Sequence, residues 1–480
     1  MEERKGFGSN FGFLMASVGS AVGLGNIWGF PNKMGASGGF TFLVVYLVLA
    51  VLCGFIVMVG ELALGRKTGH GAVGAYQSIS QRFKWLGWLG IAAAALIFSF
   101  YSALGGYCLR YVVVNFGNLI GAEFGTNGVG GADVFQGLLS QPDVSIAFAL
   151  AFMLITMLVV MSGVGGGIER VCSVGMPALF FILIICIIRS CTLPGAVDGL
   201  KYMFVPGWAV ANGIIDEAPG FWRVLTAAGG QMFFSLSLGA GVMITYGSYL
   251  DKKQDLGKST MIIVGMDTVV ALMAGLCVIP GRFALDPNGA LGGPELLFIT
   301  MQNVFDKMGP AGPVFGILFY LLVFFAAISS SISMLEVIVA HFCDKAREKG
   351  KGDRRKLYSA IAVVICAALC ALVCADGMGS NHISPAELLG LAGAKLPGWS
   401  TSWLGLFDSV AEGLLMPLGA LLMCLMISWE LKPDVLRQEI LLNGENRPWV
   451  YDFFRLCVKY ITPLCMLMIL YGQISDFFIV

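Results

Sequence analysis

The sequence predicts an all-α polytopic membrane protein, and composition and the pattern of apolar residues both indicate this class. Of the 480 residues, 57% are hydrophobic and only 12% are charged. The mean hydropathy of +0.81 lies well above the range of water-soluble globular proteins. The apolar residues also form runs of about 20 or more, the length that a helix needs to cross a bilayer. Together these features exclude a soluble globular domain.

Eleven apolar runs predict about eleven transmembrane helices. We place these helices at residues 11–36, 40–64, 86–117, 144–162, 168–190, 221–249, 258–280, 313–342, 356–375, 403–429 and 452–474. The first run extends well beyond the length of a signal peptide without a cleavage-type end, so we expect it to stay as the first span. Because no linker or low-complexity segment divides the chain, residues 1–480 are expected to form a single integral unit.

Basic residues in the loops predict the orientation in the cell membrane. They concentrate near the N-terminus and in segments 65–85, 251–258 and 344–356, which share one side. The positive-inside rule therefore places the N-terminus in the cytoplasm, and an odd number of spans places the C-terminus outside. The 30 basic and 30 acidic residues cancel, so the net charge gives no reason to expect a nucleic-acid partner. The oligomeric state stays unknown.

The 13 cysteines and three histidines form no metal-binding pattern. Most cysteines lie inside apolar runs, where a thiol acts as a small packing residue. The histidines, at positions 70, 341 and 382, are widely scattered, and no cysteine pair has zinc-ligand spacing. We also find no nucleophile–base pair of the kind that an enzyme needs. We therefore predict neither a structural metal nor an enzyme.

Two of the predicted spans are interrupted near their middle. The first contains SAVGLGNIWGFP (20–31), and the sixth contains GQMFFSLSLGAGVMITYGSY (230–249). If helices 1–5 (11–190) and helices 6–10 (221–429) are inverted repeats, with 452–474 as an extra helix 11, the breaks occupy matching positions, as in secondary transporters. An unwound turn in lipid persists only where protein groups, ions or a ligand satisfy its backbone. Simple kinks or close-packing glycines are the alternative reading of these residues.

Six segments carry a family pattern in one order along almost the whole chain. They are GSAVGLGNIWGFP (19–31), SGGFTFLVVY (37–46), GELALGR (60–66), GGQMFFSLSLGAGVMITYGSY (229–249), FFAAISSSISMLE (324–336) and DSVAEGLLMPLG (408–419). The sequence thereby resembles the neurotransmitter:sodium symporter family, and is similar to its bacterial leucine and tryptophan/tyrosine transporters. The resemblance implies two inverted five-helix repeats with broken helices 1 and 6. It also implies Na⁺-coupled import of a substrate by alternating access.

The resemblance implies two Na⁺ sites built from oxygen atoms, which suit a hard cation. The first would be formed by the Ala21 carbonyl and the side chains of Asn26, Ser235 and Asp267. The second would be formed by the carbonyls of Gly19, Val22 and Ala326 and the hydroxyls of Ser329 and Ser330. Without the resemblance, the serine run at 329–331 favours hydroxyls that bond back to their own helix.

Asp267 stands where the family usually has asparagine. A carboxylate in the middle of a span is costly unless a cation lies near it. Chloride-dependent relatives hold Cl⁻ beside the first Na⁺, and the Asp267 carboxylate would supply that negative charge. We therefore predict chloride-independent transport, with proton counter-movement left open. Tyr46, Gln231 and Ser235 match the chloride-site positions of those relatives, which keeps a chloride effect open as well.

The substrate implied by the resemblance is an α-amino acid, because Gly23 replaces the aspartate of monoamine transporters. The substrate carboxylate would meet the N–H groups of Leu24 and Gly25 and the Tyr101 hydroxyl, and its ammonium the carbonyls of Ala21, Phe234 and Ser235. The side-chain pocket would comprise Ile97, Phe234, Ser237, Ala240, Ser330, Ser333 and Met334.

Two pocket residues favour a large apolar or aromatic substrate such as tryptophan, tyrosine, phenylalanine, leucine or methionine. Ala240 replaces a bulky residue common in relatives, and Met334 adapts to irregular shapes. A small or polar amino acid stays an alternative. So does a non-transporting amino-acid sensor with the same fold.

The outer gate departs from the family pattern. Asp408 matches the acidic partner of the gate, but the basic position is Gly29. Closure is therefore expected to depend on the rings of Tyr101 and Phe234, on water, or on Lys33. On the inner side, Arg4, Phe7, Tyr249 and Asp344 match the cytoplasmic latch, with Phe7 in place of a tryptophan, although alone they read as ordinary loop residues.

Overall fold

The computed structural model describes residues 6–289, 293–391, 398–431, 434–441 and 448–478. Within these ranges, nine helices are long and apolar enough to cross a membrane. They are Phe40–Thr68, Lys84–Ile120, Pro142–Met161, Val164–Cys191, Leu256–Leu285, Gly309–Glu348, Arg355–Gly379, Trp403–Glu430 and Trp449–Ser475. They correspond to the predicted spans 2 to 5 and 7 to 11, with ends that differ by a few residues.

The first span is a bent pair of helices, Asn10–Ala21 and Gly25–Ala36, whose axes differ by 47°. The hydroxyl of Ser9 caps the first helix by accepting a bond from the Gly12 N–H at 2.9 Å. That helix ends where Val22 turns to an extended conformation (ψ 103°). Pro31 lies in the first turn of Phe30–Ala36, where a missing N–H is tolerated. The predicted break in the first span is therefore present.

The sixth span consists of two short helices, Phe221–Ser235 and Val242–Gly247. Three residues of the connecting turn have left-handed backbone angles: Ser237 (φ 53°), Gly239 (φ 80°) and Gly241 (φ 73°). Glu61 of the second span supports this turn, because its Oε1 atom accepts a bond from the Gly239 N–H at 2.7 Å. The break in this span splits the predicted run 221–249 into pieces too short to cross a bilayer singly.

Shorter helices connect the spans. They are Ala72–Ile79, Gly131–Leu139, Ala196–Phe204, Trp208–Ala211, the helical segment 293–306, Pro385–Leu388 and Asp434–Ile440. The third and eighth spans pack along each other and, with the first and sixth spans, enclose the centre of the bundle. The outer faces of the fifth and ninth spans expose large apolar residues such as Phe181 (67%) and Val364 (70%), as expected of surfaces in contact with lipid.

Candidate functional site

The two breaks meet in the centre of the bundle. The Ser237 hydroxyl donates to the Ser20 carbonyl at 3.0 Å, and Nε2 of Gln231 donates to the Gly25 carbonyl at 2.7 Å. Side chains of the sixth span thus satisfy carbonyls released by the break in the first. All of these groups are buried. This mutual satisfaction is what allows unwound backbone to persist at membrane depth.

Two of the residues predicted for the first Na⁺ site, Asn26 and Ser235, bond to a third, Asp267. Its carboxylate accepts bonds from Nδ2 of Asn26 at 2.7 Å, from Oγ of Ser235 at 3.0 Å, and from the Tyr46 hydroxyl at 3.2 Å. Asn26 and Asp267 are fully buried, and Ala21, at the end of the first helix, is 2% exposed. The seventh span therefore brings its acid to the break in the first span.

The chemistry of this group fits a monovalent cation. Among the residues that the structure describes, no basic side chain pairs with the buried Asp267 carboxylate; its partners are neutral amide and hydroxyl groups. A buried carboxylate without a cation costs several kcal/mol. The Asp267 carboxylate and the Ser235 hydroxyl offer hard oxygen atoms, so Na⁺ can compensate this charge.

The oxygen atoms predicted for the second Na⁺ site also come together. Oγ of Ser330 lies 3.3 Å from the Gly19 carbonyl and 3.4 Å from the Val22 carbonyl, so it reaches across from the eighth span to the first. Oγ of Ser329 lies 3.0 Å from the carbonyls of both Phe325 and Ala326, within its own helix. Ser329 thus follows the back-bonding alternative, whereas Ser330 joins the two spans.

A small cavity adjoins both groups. It has a volume of about 10 Å³, roughly the space of one water molecule. Its lining comprises Ser20, Ala21, Gly25, Ile97, Tyr101, Phe234, Ser237, Ser330 and Met334. The rings of Tyr101 and Phe234, with centroids 6.2 Å apart, form part of this lining. An amino acid therefore requires these walls to separate.

Gly23 lies where no side chain fits. A Cβ atom at this position would collide with the Tyr101 hydroxyl and with Oγ of Ser330. The Tyr101 hydroxyl also accepts a bond from the Leu24 N–H at 2.5 Å. The Tyr101 hydroxyl thus lies beside the N–H groups at the start of Gly25–Ala36, at the positive end of that helix.

Two predicted pocket residues lie outside the cavity lining. Ala240 is fully buried, and its backbone faces Gly90 of the third span. The Ser333 hydroxyl donates to the Ser330 carbonyl at 2.7 Å and also lies 2.7 Å from Oγ of Ser20. The volume argument from Ala240 therefore has no support in this structure, and Ser333 acts on the packing of the first and eighth spans instead.

Near the residues predicted for the outer gate, the structure contains an ion pair that the sequence analysis did not assign. Lys33 pairs with Glu412, one turn beyond Asp408, and the two side chains are 24% and 5% exposed. Gly29 faces the Gln231 amide, since a Cβ atom there would lie 2.8 Å from Oε1. Lys33, four residues after Gly29, thus pairs with an acid of the tenth span. Glu412 is a functional candidate that its charge inside an apolar run could have indicated.

Aromatic packing and a buried ion pair join the helices at the end of the bundle that is predicted to face the cytoplasm. The Phe7 ring meets the rings of Tyr246 and Tyr249 edge-on, with centroids 5.6 and 6.2 Å apart. The Tyr249 hydroxyl donates to Oε1 of Glu336 at 2.6 Å, and Arg355 binds both oxygen atoms of Glu336 at 2.5 and 3.0 Å. Sequence analysis did not assign Glu336 and Arg355 to this end.

The other two residues predicted for the cytoplasmic latch are Asp344 and Arg4. Oδ2 of Asp344 accepts a bond from the Gly71 N–H at 3.0 Å. Arg4 lies outside the described residues. The latch role of these two residues therefore stays a prediction.

Comparison with known proteins identifies the family. The model of the sodium:neurotransmitter symporter family matches residues 4–127 and 132–478. The sodium-dependent transporter YhdH of Bacillus subtilis, described as uncharacterized, is 36% identical over 97% of both chains. A second such transporter, MJ1319 of Methanocaldococcus jannaschii, is 29% identical over 91% of this chain and 84% of its own.

A solved structure shares the fold. The crystal structure of MhsT in complex with L-phenylalanine superposes with a TM-score of 0.83 at 32% identity, over 98% of this chain and 100% of MhsT. The chain belongs to the sodium:neurotransmitter symporter family. It is a sodium-dependent, multi-pass membrane transporter of that family, and its fold is the one found in MhsT.

The Lys33–Glu412 pair yields a prediction for transport. Glu412→Gln is expected to lower the initial uptake rate by about fivefold, because a partly exposed ion pair contributes about 1 kcal/mol to outer closure. The charge swap Lys33→Glu with Glu412→Lys should recover at least part of the loss. Lys307→Gln, in a more exposed pair with Asp286, serves as control and should transport normally. A swap that performs worse than Glu412→Gln would contradict the pairing.

The Glu336–Arg355 pair yields a prediction for stability. Arg355→Gln is expected to lower the free energy of unfolding by about 3–5 kcal/mol, because it leaves the fully buried Glu336 carboxylate without its cation. Thermal unfolding of the purified protein measures this loss. Lys201→Gln breaks an exposed pair with Asp198 and should cost less than about 1 kcal/mol. Equal melting temperatures for the two variants would show that the buried pair is not structural.

Proposed function

We propose that this protein is a Na⁺-coupled symporter that imports a large apolar or aromatic α-amino acid by alternating access, independently of chloride. One observation carries the proposal. The breaks in the first and sixth spans meet at a closed cavity, and two groups of oxygen ligands adjoin that cavity. Binding of ions and substrate at one junction couples their movements, because each ligand stabilises the same arrangement of the spans.

The amino-acid part rests on the surroundings of Gly23. The N–H groups at the start of Gly25–Ala36 lie beside the Tyr101 hydroxyl, and the substrate carboxylate would bind there in place of the hydrogen bond from the Leu24 N–H to that hydroxyl. Because Gly23 leaves no room for an acidic side chain, the substrate itself would bring the carboxylate. The released carbonyls of the breaks are the natural acceptors for its ammonium group.

The preference for a large apolar side chain rests on the remaining walls. Ile97, Phe234 and Met334 present apolar surface to the cavity. Burial of a large apolar side chain contributes about 1.5–3 kcal/mol, which would favour such a substrate over glycine. MhsT, which shares the fold, has been crystallised with L-phenylalanine, and this supports the assignment.

We propose two Na⁺ ions as coupling ions, held by the residues named above. We also propose that Asp267 replaces chloride. Two of the three donors that match a chloride site, Tyr46 and Ser235, donate to the Asp267 carboxylate, and the third, Gln231, donates to the Gly25 carbonyl. The donors that chloride would need are therefore engaged already.

The architecture suggests how the cycle would run. We propose that segments 11–190 and 221–429 are inverted repeats, with 452–474 as an added helix, and that the N-terminus is cytoplasmic and the C-terminus external. The outer Lys33–Glu412 pair and the inner contacts of Phe7 and Tyr249 would then close opposite ends of one pathway. Alternating access requires that these two ends open in turn.

Equilibrium binding of tritiated L-phenylalanine to the purified protein in NaCl tests the substrate class. Unlabelled tryptophan, leucine and methionine should displace the label about tenfold more effectively than glycine, given the apolar burial. If glycine or glutamate displaced the label more effectively than these amino acids, the result would contradict a large apolar pocket. Sodium-dependent binding together with an absence of uptake into proteoliposomes would favour the amino-acid sensor instead.

A further inference from the structure

The eleventh span packs closely against the first helix of the sixth span, Phe221–Ser235. Glycines on both sides make this approach possible. A Cβ atom at Gly229 would collide with the Ile469 side chain, and a Cβ atom at Gly472 would collide with the Thr226 hydroxyl. Small residues let two helix backbones come together in a membrane. The contact therefore has little room for movement between the two helices.

Gln473 places a polar side chain inside this contact. The residue is 3% exposed, and its Nε2 atom donates to the Thr226 carbonyl at 3.1 Å. An amide nitrogen carries two N–H donors, so this bond leaves the second donor for another acceptor. Because a buried donor without an acceptor is costly, the neighbours of Nε2 decide what this side chain can do.

The Glu412 carboxylate of the tenth span is the acidic neighbour of this amide. The two groups meet at Gly230 of the sixth span. A Cβ atom on this glycine would collide with Nε2 of Gln473 and would lie 3.1 Å from Oε1 of Glu412. The same Oε1 atom binds Lys33 of the first span. The missing side chain at Gly230 thus lets an amide donor approach the carboxylate of the outer ion pair, which it attracts.

Glu412 is a carboxylate that benefits from an added donor. Its side chain is nearly buried, and Asp408, a second acid one turn before it, hydrogen-bonds to it. Two neighbouring carboxyl groups disfavour each other's charged form, and each N–H donor near a carboxylate favours the charged form. The π-helical turn that carries Glu412, Ala411–Leu415, contacts both the sixth and the eleventh spans. A donor fixed on the eleventh span can therefore keep this carboxylate directed at Lys33.

We propose that Gln473 is a positioning residue for the Lys33–Glu412 pair, and that the eleventh span thereby takes part in closing the outer end. Its amide would hold the Glu412 carboxylate toward Lys33, and its bond to the Thr226 carbonyl would tie that carboxylate to the sixth span. The proposal gives a part in the transport cycle to a helix that lies outside the two proposed repeats. It rests on the gate function proposed for Lys33 and Glu412.

A double-mutant cycle between Gln473 and Glu412 tests the proposal. Gln473→Leu keeps most of the volume and removes the amide. It should slow the initial uptake of tritiated L-phenylalanine into proteoliposomes about threefold in the native background. Beside Glu412→Gln it should slow uptake less than about 1.5-fold, because no carboxylate remains to be positioned.

The variant Gln473→Glu adds a readout that packing alone would not change. It should slow uptake more than Gln473→Leu does, because two like charges would then meet at Gly230. Glu412→Gln should relieve part of this loss, although the same substitution slows uptake in the native background. Ile469→Ala is the matched control, because it thins the same contact without changing a polar group. It should slow uptake by the same factor in both backgrounds.

The melting temperature of the purified protein repeats the cycle without a substrate. Gln473→Leu should lower it on the order of 2 °C in the native background and by less beside Glu412→Gln. Equal losses from Gln473→Leu in both backgrounds would overturn the proposal and make Gln473 a packing residue. So would a loss in Gln473→Glu that Glu412→Gln does not relieve. A wild-type protein that takes up no amino acid would contradict the proposed function, and the melting temperatures would then decide between positioning and packing.

Discussion

Asp267→Asn is expected to convert chloride-independent transport into transport that requires chloride. In the native protein, the buried carboxylate supplies the negative charge beside the proposed first Na⁺, and Tyr46 and Ser235 donate to it. The amide removes that charge and leaves these donors available to an anion. Uptake by the variant should therefore be at least about tenfold slower in gluconate than in chloride, a difference of about 1.4 kcal/mol.

The controls for this prediction distinguish the effect of the lost charge at Asp267 from a general loss of function. The wild-type protein should transport equally in gluconate and chloride. Asp306→Asn changes an acid bonded to Gln302, far from the first span, and should stay indifferent to the anion. A strict chloride requirement in the wild-type protein would refute the role given to Asp267. So would slow uptake by Asp267→Asn that chloride does not restore, if Na⁺ binding is retained.

Gly23→Ala is expected to weaken amino-acid binding on the order of tenfold to a hundredfold, because overpacking costs about 1–3 kcal/mol. The added methyl group would collide with the Tyr101 hydroxyl and with Oγ of Ser330, which belong to the proposed carboxylate site and to the second Na⁺ site. Tritiated L-phenylalanine binding at saturating Na⁺ measures the loss. Titration with Na⁺ should show a parallel loss of ion affinity, since Ser330 joins both sites.

A second glycine provides the matched control. A Cβ atom at Gly175, in the fifth span, would meet nothing within 4 Å. Gly175→Ala should therefore bind and melt as the wild-type protein does. If Gly23→Ala binds the amino acid with unchanged affinity, the carboxylate does not lie beside Gly23, and the assignment of the substrate class loses its main support.

The spans could be predicted because their signals are local, whereas the residues of the central site were predicted through the resemblance to the symporter family. The apolar runs define spans by length, and the breaks are marked by glycines and serines that no continuous span requires. Once both breaks are present, Asn26, Ser235 and Asp267 converge because each lies at the middle of its span. In the structure, the break divides the sixth span into helices of 15 and 6 residues. Neither helix is long enough by itself to be recognised as a membrane span.

The gates could not be predicted in full because they depend on the rotation of helices. Asp408 and Glu412 are one turn apart, and the residue that meets Lys33 is decided by the tenth span's π-helical turn, Ala411–Leu415. Such a turn adds a residue and rotates the helix relative to its neighbours. Glu336 and Arg355 are likewise joined only by the packing of the eighth and ninth spans.

The residues that line the substrate pocket could not all be predicted from the sequence either. Ala240 belongs to the unwound turn of the sixth span, where the direction of a side chain does not follow helical periodicity. Its backbone packs closely against Gly90, and Ala240 does not belong to the lining of the cavity. Ser237, three residues before it, does line the cavity, although its hydroxyl is engaged by the Ser20 carbonyl.

Uptake of tritiated L-phenylalanine into proteoliposomes under an inward Na⁺ gradient tests Na⁺-coupled amino-acid symport most directly. The account predicts accumulation above the external concentration, collapse of that accumulation when external Na⁺ is replaced by K⁺, and severe loss in Asn26→Ala and Ser330→Ala at low Na⁺. The same accumulation in K⁺ would contradict the account.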